Sequence, residues 1–224
     1  MNPEPVFDLE SVPSAPQLSR RALLAVGAVA GAALVLPALP ARADFPYNDI
    51  VAMRFLEEIA RLEADFFAKA ANSSTADGLQ EREVGVLATI ARQDAELVRW
   101  FRAARGNYGL SAYSTFYTPN LSTSRPLPDY HFGAGTFNTR SGLYSTALLV
   151  KETAVGGFHG VVGEADSPKM IQAFAALAGV QGRHLAMLRE LAGQNPLVPF
   201  EAALSQRVVA QRLDKYGFDR EVLG

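Results

Sequence analysis

The fold is decided by the stretch FLEEIARLEADFF, residues 55–67. Its apolar side chains recur about every three or four residues, the spacing that places them on one side of an α-helix. Glu63 falls near the middle of that apolar face, where a carboxylate has to leave water. The stretch therefore predicts a helix that packs against others and carries a charged group into their shared interior.

Three further stretches show the same helical spacing. Together the four predicted helices are residues 50–71, 81–104, 141–162 and 167–191. Short links separate the first helix from the second and the third from the fourth, so each pair is predicted to form an antiparallel hairpin. Asp49 is expected to cap the first helix at its N-terminus.

The connection between the second and third helices, residues 105–140, is too long for a turn. It can run the length of a bundle, and its aromatic residues are expected to cover the bundle's apolar seam. Two hairpins joined by one long crossover form the ferritin-like arrangement. The sequence thus predicts an all-α, ferritin-like four-helix bundle. A C-terminal extension after Pro196 is predicted to add one short helix packed on its outside.

Each predicted helix carries polar side chains on its apolar face. These residues are Glu63, Asp94, Lys151, Gln181 and His184. Because an unpaired buried charge costs several kcal/mol, polar residues near the middle of all four helices predict one shared buried cluster. For any one of them alone, a boundary position whose side chain reaches water is the alternative. The same periodicity places Glu152 off the apolar face of the third helix.

Composition narrows the classes of function. The chain has no cysteine, which excludes disulfides, thiolate metal sites, iron–sulfur clusters and cysteine nucleophiles. Its formal net charge is −2, with basic and acidic residues in near balance, so no nucleic-acid partner is expected. Residues 44–224 have a length typical of one domain.

Residues 1–43 are predicted to be a twin-arginine signal peptide. Its signal residues are Ser19, Arg20, Arg21, Ala41 and Ala43. The arginine pair precedes an uncharged apolar run, and the two alanines supply the small residues that signal peptidase requires. Export through the twin-arginine translocon, in the folded state, to the periplasm or another extracytoplasmic compartment is the expectation. A signal-anchored form is the alternative, which Pro37 and Pro40 oppose.

Five segments carry a family resemblance. They are Leu62–Phe67, Ile90–Arg102, His131–Phe137, Val155–Gly160 and Gly179–Leu185. In this order they resemble the twin-arginine-exported ferritin-like domain proteins of bacteria and are similar to plant desiccation-related ferritin-like proteins. The resemblance covers nearly all of residues 44–224 and implies a stress-related protein.

The resemblance also implies a degenerate di-metal site. Ferritin-like metal proteins supply a Glu from each of two helices and a Glu-x-x-His from each of the other two. Carried over helix by helix, these positions hold Glu63, Asp94-x-x-Leu97, Lys151 and Gln181-x-x-His184. An inward ammonium at Lys151 would repel iron and pair with the two acids. Shifting the third helix by one residue would instead give a metal site of Glu63, Asp94, Glu152 and His184.

Three functions follow as hypotheses. The missing ligands favour an exported structural or binding protein with no cofactor, and the chain is not assigned as an enzyme. A metal-dependent oxidase or peroxidase using iron or manganese is the second hypothesis, supported by analogy of fold. The third is a small subunit that carries a partner enzyme through the translocon. A protein partner or a homo-oligomer is compatible with these hypotheses.

Overall fold

The computed structural model describes residues 47–73, 78–107, 129–198 and 201–223. All regular structure in these ranges is helical, as the sequence predicted. The predicted signal peptide, residues 1–43, lies outside the described residues. Within the described part of the chain, none of the helices combines the length and the apolar character needed to cross a membrane.

Four long helices form the bundle. They are α1 (Tyr47–Ala71), α2 (Glu81–Asn107), α3 (Arg140–Val162) and α4 (Pro168–Leu191). The main packing pairs are α1 with α2 and α3 with α4, and α1 also packs on α3. The C-terminal extension adds α5 (Gln206–Leu213) and two 3-10 helices, Asp214–Tyr216 and Arg220–Leu223. This architecture confirms the predicted four-helix bundle with a long crossover and a helical extension.

Local chemistry sets the limits of α3 and α4. The hydroxyl of Thr139 accepts a hydrogen bond from the backbone N–H of Gly142, which caps the N-terminus of α3. Pro168 occupies the first turn of α4, where its missing N–H has no helical partner to lose. Beyond the end of α4, Gly193 has a φ of +75°, a conformation that glycine adopts without strain. The helix therefore stops where the sequence places a glycine.

Asp49 does not cap its own helix, contrary to the expectation from the sequence. It lies inside the first turn of α1, and its buried carboxylate accepts hydrogen bonds from the backbone N–H groups of Asp166 and Ser167 at 2.9 and 3.2 Å. Those N–H groups belong to the link before α4 and have no helical acceptor. Asp49 therefore ties the first hairpin to the second.

The described end of the crossover, residues 129–139, packs on α1. The rings of Phe132 and Phe137 lie 5.0 and 5.4 Å from the ring of Phe66. The hydroxyl of Tyr130 donates a 2.8 Å hydrogen bond to the buried carboxylate of Glu58. These three aromatic residues of the crossover thus cover apolar surface of the bundle, as the sequence predicted for the crossover.

A candidate buried ion-pair site

Lys151 is the centre of the candidate site. It lies on the inner side of α3 and has no solvent-exposed surface. Its ammonium nitrogen is 2.7 Å from Glu63 Oε1 on α1 and 3.1 Å from Asp94 Oδ2 on α2. It also donates a 2.6 Å hydrogen bond to Gln181 Oε1 on α4. Each of the other three helices thus supplies one partner of the ammonium, with Asp94 and Gln181 as hydrogen-bond acceptors and Glu63 as an ion-pair partner.

Asp94 is held from two sides. Its Oδ2 contacts Lys151, and its Oδ1 accepts a 3.1 Å hydrogen bond from Gln181 Nε2. The Gln181 side chain therefore accepts from the lysine and donates to the aspartate. On another side the ammonium lies 4.9 Å from the centre of the Phe67 ring, a cation–π distance. We call Glu63, Asp94, Lys151 and Gln181 the ion-pair cluster.

His184 lies at the edge of the ion-pair cluster. Its Nδ1 is 3.8 Å from Asp94 Oδ1, too far for a hydrogen bond, while its Nε2 is 2.5 Å from Gln93 Oε1. Gln93 is not among the residues that the sequence predicted for the site. The signal that could have found it is its position, because Gln93 directly precedes Asp94 and helical periodicity puts it on the flank of the apolar face of α2.

Glu152 points away from the ion-pair cluster. It is exposed, and its Oε1 accepts a 3.0 Å hydrogen bond from Arg189 Nη2. The structure therefore does not bring Glu152 together with Glu63, Asp94 and His184, the alternative metal-ligand set. Among all described residues, no three His, Asp or Glu side chains are grouped so that they could hold a metal ion.

Burial dominates the electrostatics of the ion-pair cluster. Loss of water raises the pKa of Glu63 to about 8; Lys151 opposes this rise and Asp94 adds to it. Burial also raises the pKa of Asp94, against the effects of Lys151 and Gln181. The pKa of His184 is well below its ordinary value because of burial and the nearby Lys151. The raised pKa values of Glu63 and Asp94 favour protonation, which reduces the negative charge buried beside Lys151.

The helices that build this site also match a known family. Residues 48–194, from the start of α1 to just beyond α4, match the sequence model described as ferritin-like domain. The chain belongs to the ferritin-like domain family. No curated protein matches the chain at a significant level. The ferritin-like domain thus contains every residue of the ion-pair cluster, and α5 lies beyond the matched region.

Proposed function

We propose that this ferritin-like protein has lost the di-metal centre of its fold and acts as an exported structural or binding protein. The observation that supports this proposal is the position of the Lys151 ammonium. It is 2.7 Å from Glu63 and 3.1 Å from Asp94, the two acids that would otherwise face a metal ion. The positively charged group that both carboxylates face is therefore the ammonium of Lys151, a side chain of the protein itself.

The donor set does not fit a pair of metal ions. Metal binding requires lone pairs of carboxylates and imidazoles, and cations close to the site oppose it. Here Lys151 occupies the space between both acids and the Gln181 oxygen, and His184 Nε2 contacts Gln93. The fourth candidate ligand, Glu152, is outside and paired with Arg189.

The ion-pair cluster suits a structural role because each of the four bundle helices contributes one residue to it. Removing one partner of a buried ion pair typically costs about 3–5 kcal/mol, since the remaining charge stays buried and unpaired. A shift of any one of these helices along its axis would move its residue away from the ammonium, since each residue adds about 1.5 Å of rise. We infer that the cluster selects the arrangement of the bundle.

Metal analysis of the protein tests the proposal. The full chain is purified from its native compartment without chelators, and iron and manganese are measured by elemental mass spectrometry. The expected result is far less than one metal ion per chain. Stoichiometric iron or manganese that a chelator removes, together with oxidase or peroxidase activity that returns with the metal, would overturn it.

We further propose that residues 1–43 direct export of the folded protein through the twin-arginine translocon. The support is the sequence alone: Arg20 and Arg21, the apolar run after them and the Ala41-x-Ala43 site. Fractionation of cells that express the wild type or Arg20→Lys/Arg21→Lys tests this. Wild-type protein outside the cytoplasm, beginning at Asp44, and retention of the variant are expected. Equal export of both would contradict the proposal.

A further inference from the structure

Two segments outside the four bundle helices pack on the same part of α1. One is the crossover end, residues 129–139, and the other is the C-terminal tail, which we define as residues 214–223. The tail holds the two 3-10 helices that follow α5. Tyr130 and Phe132 of the crossover end and Phe218 of the tail are buried. Because α3, α4 and α5 separate the two segments in the chain, only the tertiary structure brings them together.

Glu58 of α1 binds both segments through a single oxygen atom. Its side chain is buried, and its Oε1 accepts the 2.8 Å hydrogen bond from the Tyr130 hydroxyl in the crossover end. The same oxygen accepts a 3.3 Å hydrogen bond from the backbone N–H of Asp219 in the tail. The other oxygen, Oε2, lies 3.9 Å from Arg61 Nη1 on the same helix. One carboxylate of α1 therefore holds a donor from each segment.

The two segments also contact each other directly. The backbone N–H of His131 donates a 3.1 Å hydrogen bond to the carbonyl oxygen of Tyr216, and the rings of Phe132 and Tyr216 are 5.5 Å apart. Gly217 has a φ of +84°, and a Cβ atom there would be 3.4 Å from the carbonyl oxygen of Asp129. Glycine thus allows the tail to turn beside the crossover end.

A series of aromatic rings leads from this contact toward the ion-pair cluster. The Phe132 ring lies 5.0 Å from the Phe66 ring, which lies 5.1 Å from the Phe67 ring. The Phe67 ring in turn lies 4.9 Å from the Lys151 ammonium. Phe66 and Phe67 have no exposed surface. The crossover end therefore forms the outer layer of the aromatic packing on this side of the cluster, and the tail packs against it.

We propose that Glu58 couples the crossover end and the tail into one cover, which opens from α1 and closes on it as a unit. While both segments are docked, the low local dielectric strengthens the two hydrogen bonds to Glu58. When one segment leaves, water reaches the carboxylate and competes for the other hydrogen bond. Opening of either segment therefore favours opening of the other, and this coupling is reciprocal. It depends neither on export nor on metal.

Amide hydrogen exchange of the full chain, resolved by residue with NMR, tests the coupling. The reporters are the N–H groups of Thr136 in the crossover end and Gly217 in the tail, each hydrogen-bonded within its own segment. Tyr130→Phe removes one hydroxyl and is expected to speed exchange about tenfold at both reporters. Tyr144→Phe on α3, the matched control, removes a similar hydrogen bond to Glu83 and should change neither. Unchanged exchange at Gly217 in Tyr130→Phe would overturn the proposal.

A double-mutant cycle separates Glu58 from the direct contacts between the segments. Glu58→Gln keeps an acceptor oxygen and should exchange like the wild type, whereas Glu58→Met removes both oxygens and should speed exchange at both reporters. Adding Tyr130→Phe to Glu58→Met should then change exchange at Gly217 by less than about twofold. A further increase of about tenfold would assign the coupling to the contact between His131 and Tyr216 and overturn the role of Glu58.

The reciprocal variant acts from the tail and leaves Glu58 in place, so it does not rely on the folding of Glu58→Met. Phe218→Ala removes a ring that lies 6.1 Å from the Phe55 ring of α1. Exchange at Thr136 is expected to rise together with exchange at Gly217. Faster exchange at Gly217 with wild-type exchange at Thr136 would show that the two segments open independently and would overturn the proposal.

Discussion

Lys151 and Glu63 face each other across the interior of the bundle, with 2.7 Å between Nζ and Oε1 and no exposed surface on either side chain. Among the described residues, neither carboxylate oxygen of Glu63 has a hydrogen-bond partner of suitable geometry, so its contact with Lys151 is an ion pair. A buried pair of this kind adds little net stability compared with well-packed apolar residues. The pair has a larger effect on alternative arrangements of the bundle, because a shift of α3 along α1 would separate Lys151 from Glu63 and leave the ammonium buried without this partner.

Replacement of Lys151 by alanine should strongly destabilise the fold. Lys151→Ala leaves Glu63 and Asp94 buried without their cation, and the expected loss is about 3–5 kcal/mol of unfolding free energy. Thermal and urea unfolding followed by circular dichroism would measure it. Lys169→Ala on the exposed side of α4 is the control, for which little change is expected. A Lys151→Ala melting temperature close to that of the wild type would contradict the prediction.

Stability should fall as the pH rises from 6.5 to 8. Folded Glu63 keeps its proton until a pKa of about 8, whereas the unfolded chain loses it near the ordinary value of 4.5. The unfolded state binds fewer protons in this interval, so the unfolding free energy decreases by up to about 1.4 kcal/mol per pH unit. The raised pKa of Asp94 acts in the same direction.

His184 has the opposite effect and acts at lower pH. Its folded pKa is well below the ordinary 6.5, so the unfolded state takes up a proton first as the pH falls. The unfolded His184 is nearly neutral above about pH 7.5, so the decline in stability from there to pH 8 reports on the acids. Glu63→Gln should flatten the decline, and Glu81→Gln at an exposed position of α2 should retain it. An equally steep decline in Glu63→Gln would contradict the assignment.

A carboxylate at position 151 should allow the bundle to bind a divalent metal. Lys151→Glu removes the cation and places a third acid beside Glu63 and Asp94, with His184 nearby. Mn²⁺ or Co²⁺ at about a hundred times its dissociation constant should then stabilise the fold by about 2.7 kcal/mol. Thermal unfolding with and without the metal measures the difference. Lys169→Glu controls for charge alone, and an equal metal effect in both variants would refute the prediction.

Two glycines in helices should respond to alanine in opposite ways. A Cβ at Gly160 would collide with the backbone of Leu204, so Gly160→Ala should cost about 1–3 kcal/mol by displacing the C-terminal extension around Leu204. Gly179 of α4 has open space around it, so Gly179→Ala should add about 0.5–1 kcal/mol through helix propensity alone. Urea unfolding of both variants checks the pair. Similar effects at the two positions would show that the contact with Leu204 is unimportant.

The sequence predicted much of the bundle because helical periodicity is a local property. The apolar spacing around Glu63 located a helix and its buried face, and the same rule turned Lys151 inward and Glu152 outward. The link of Asp49 to Asp166 and Ser167 was missed. In a sequence, an acid near the start of a predicted helix has the pattern of an N-cap. Only the position of the second hairpin brings the backbone N–H groups of Asp166 and Ser167 to the carboxylate of Asp49.

The sequence by itself determined which side chains point into the bundle, since the rotation of 100° per residue orients every residue around one helix axis. The pairing of Lys151 with the two acids was a hypothesis from the sequence, but only the tertiary structure decided the geometry of these contacts and the other partners. The contacts of Lys151 with Glu63, Asp94 and Gln181, of His184 with Gln93, and of Leu204 with Gly156 each join separate elements. Such contacts depend on how far neighbouring helices are shifted along their axes relative to each other. This axial register follows from side-chain packing across the whole core.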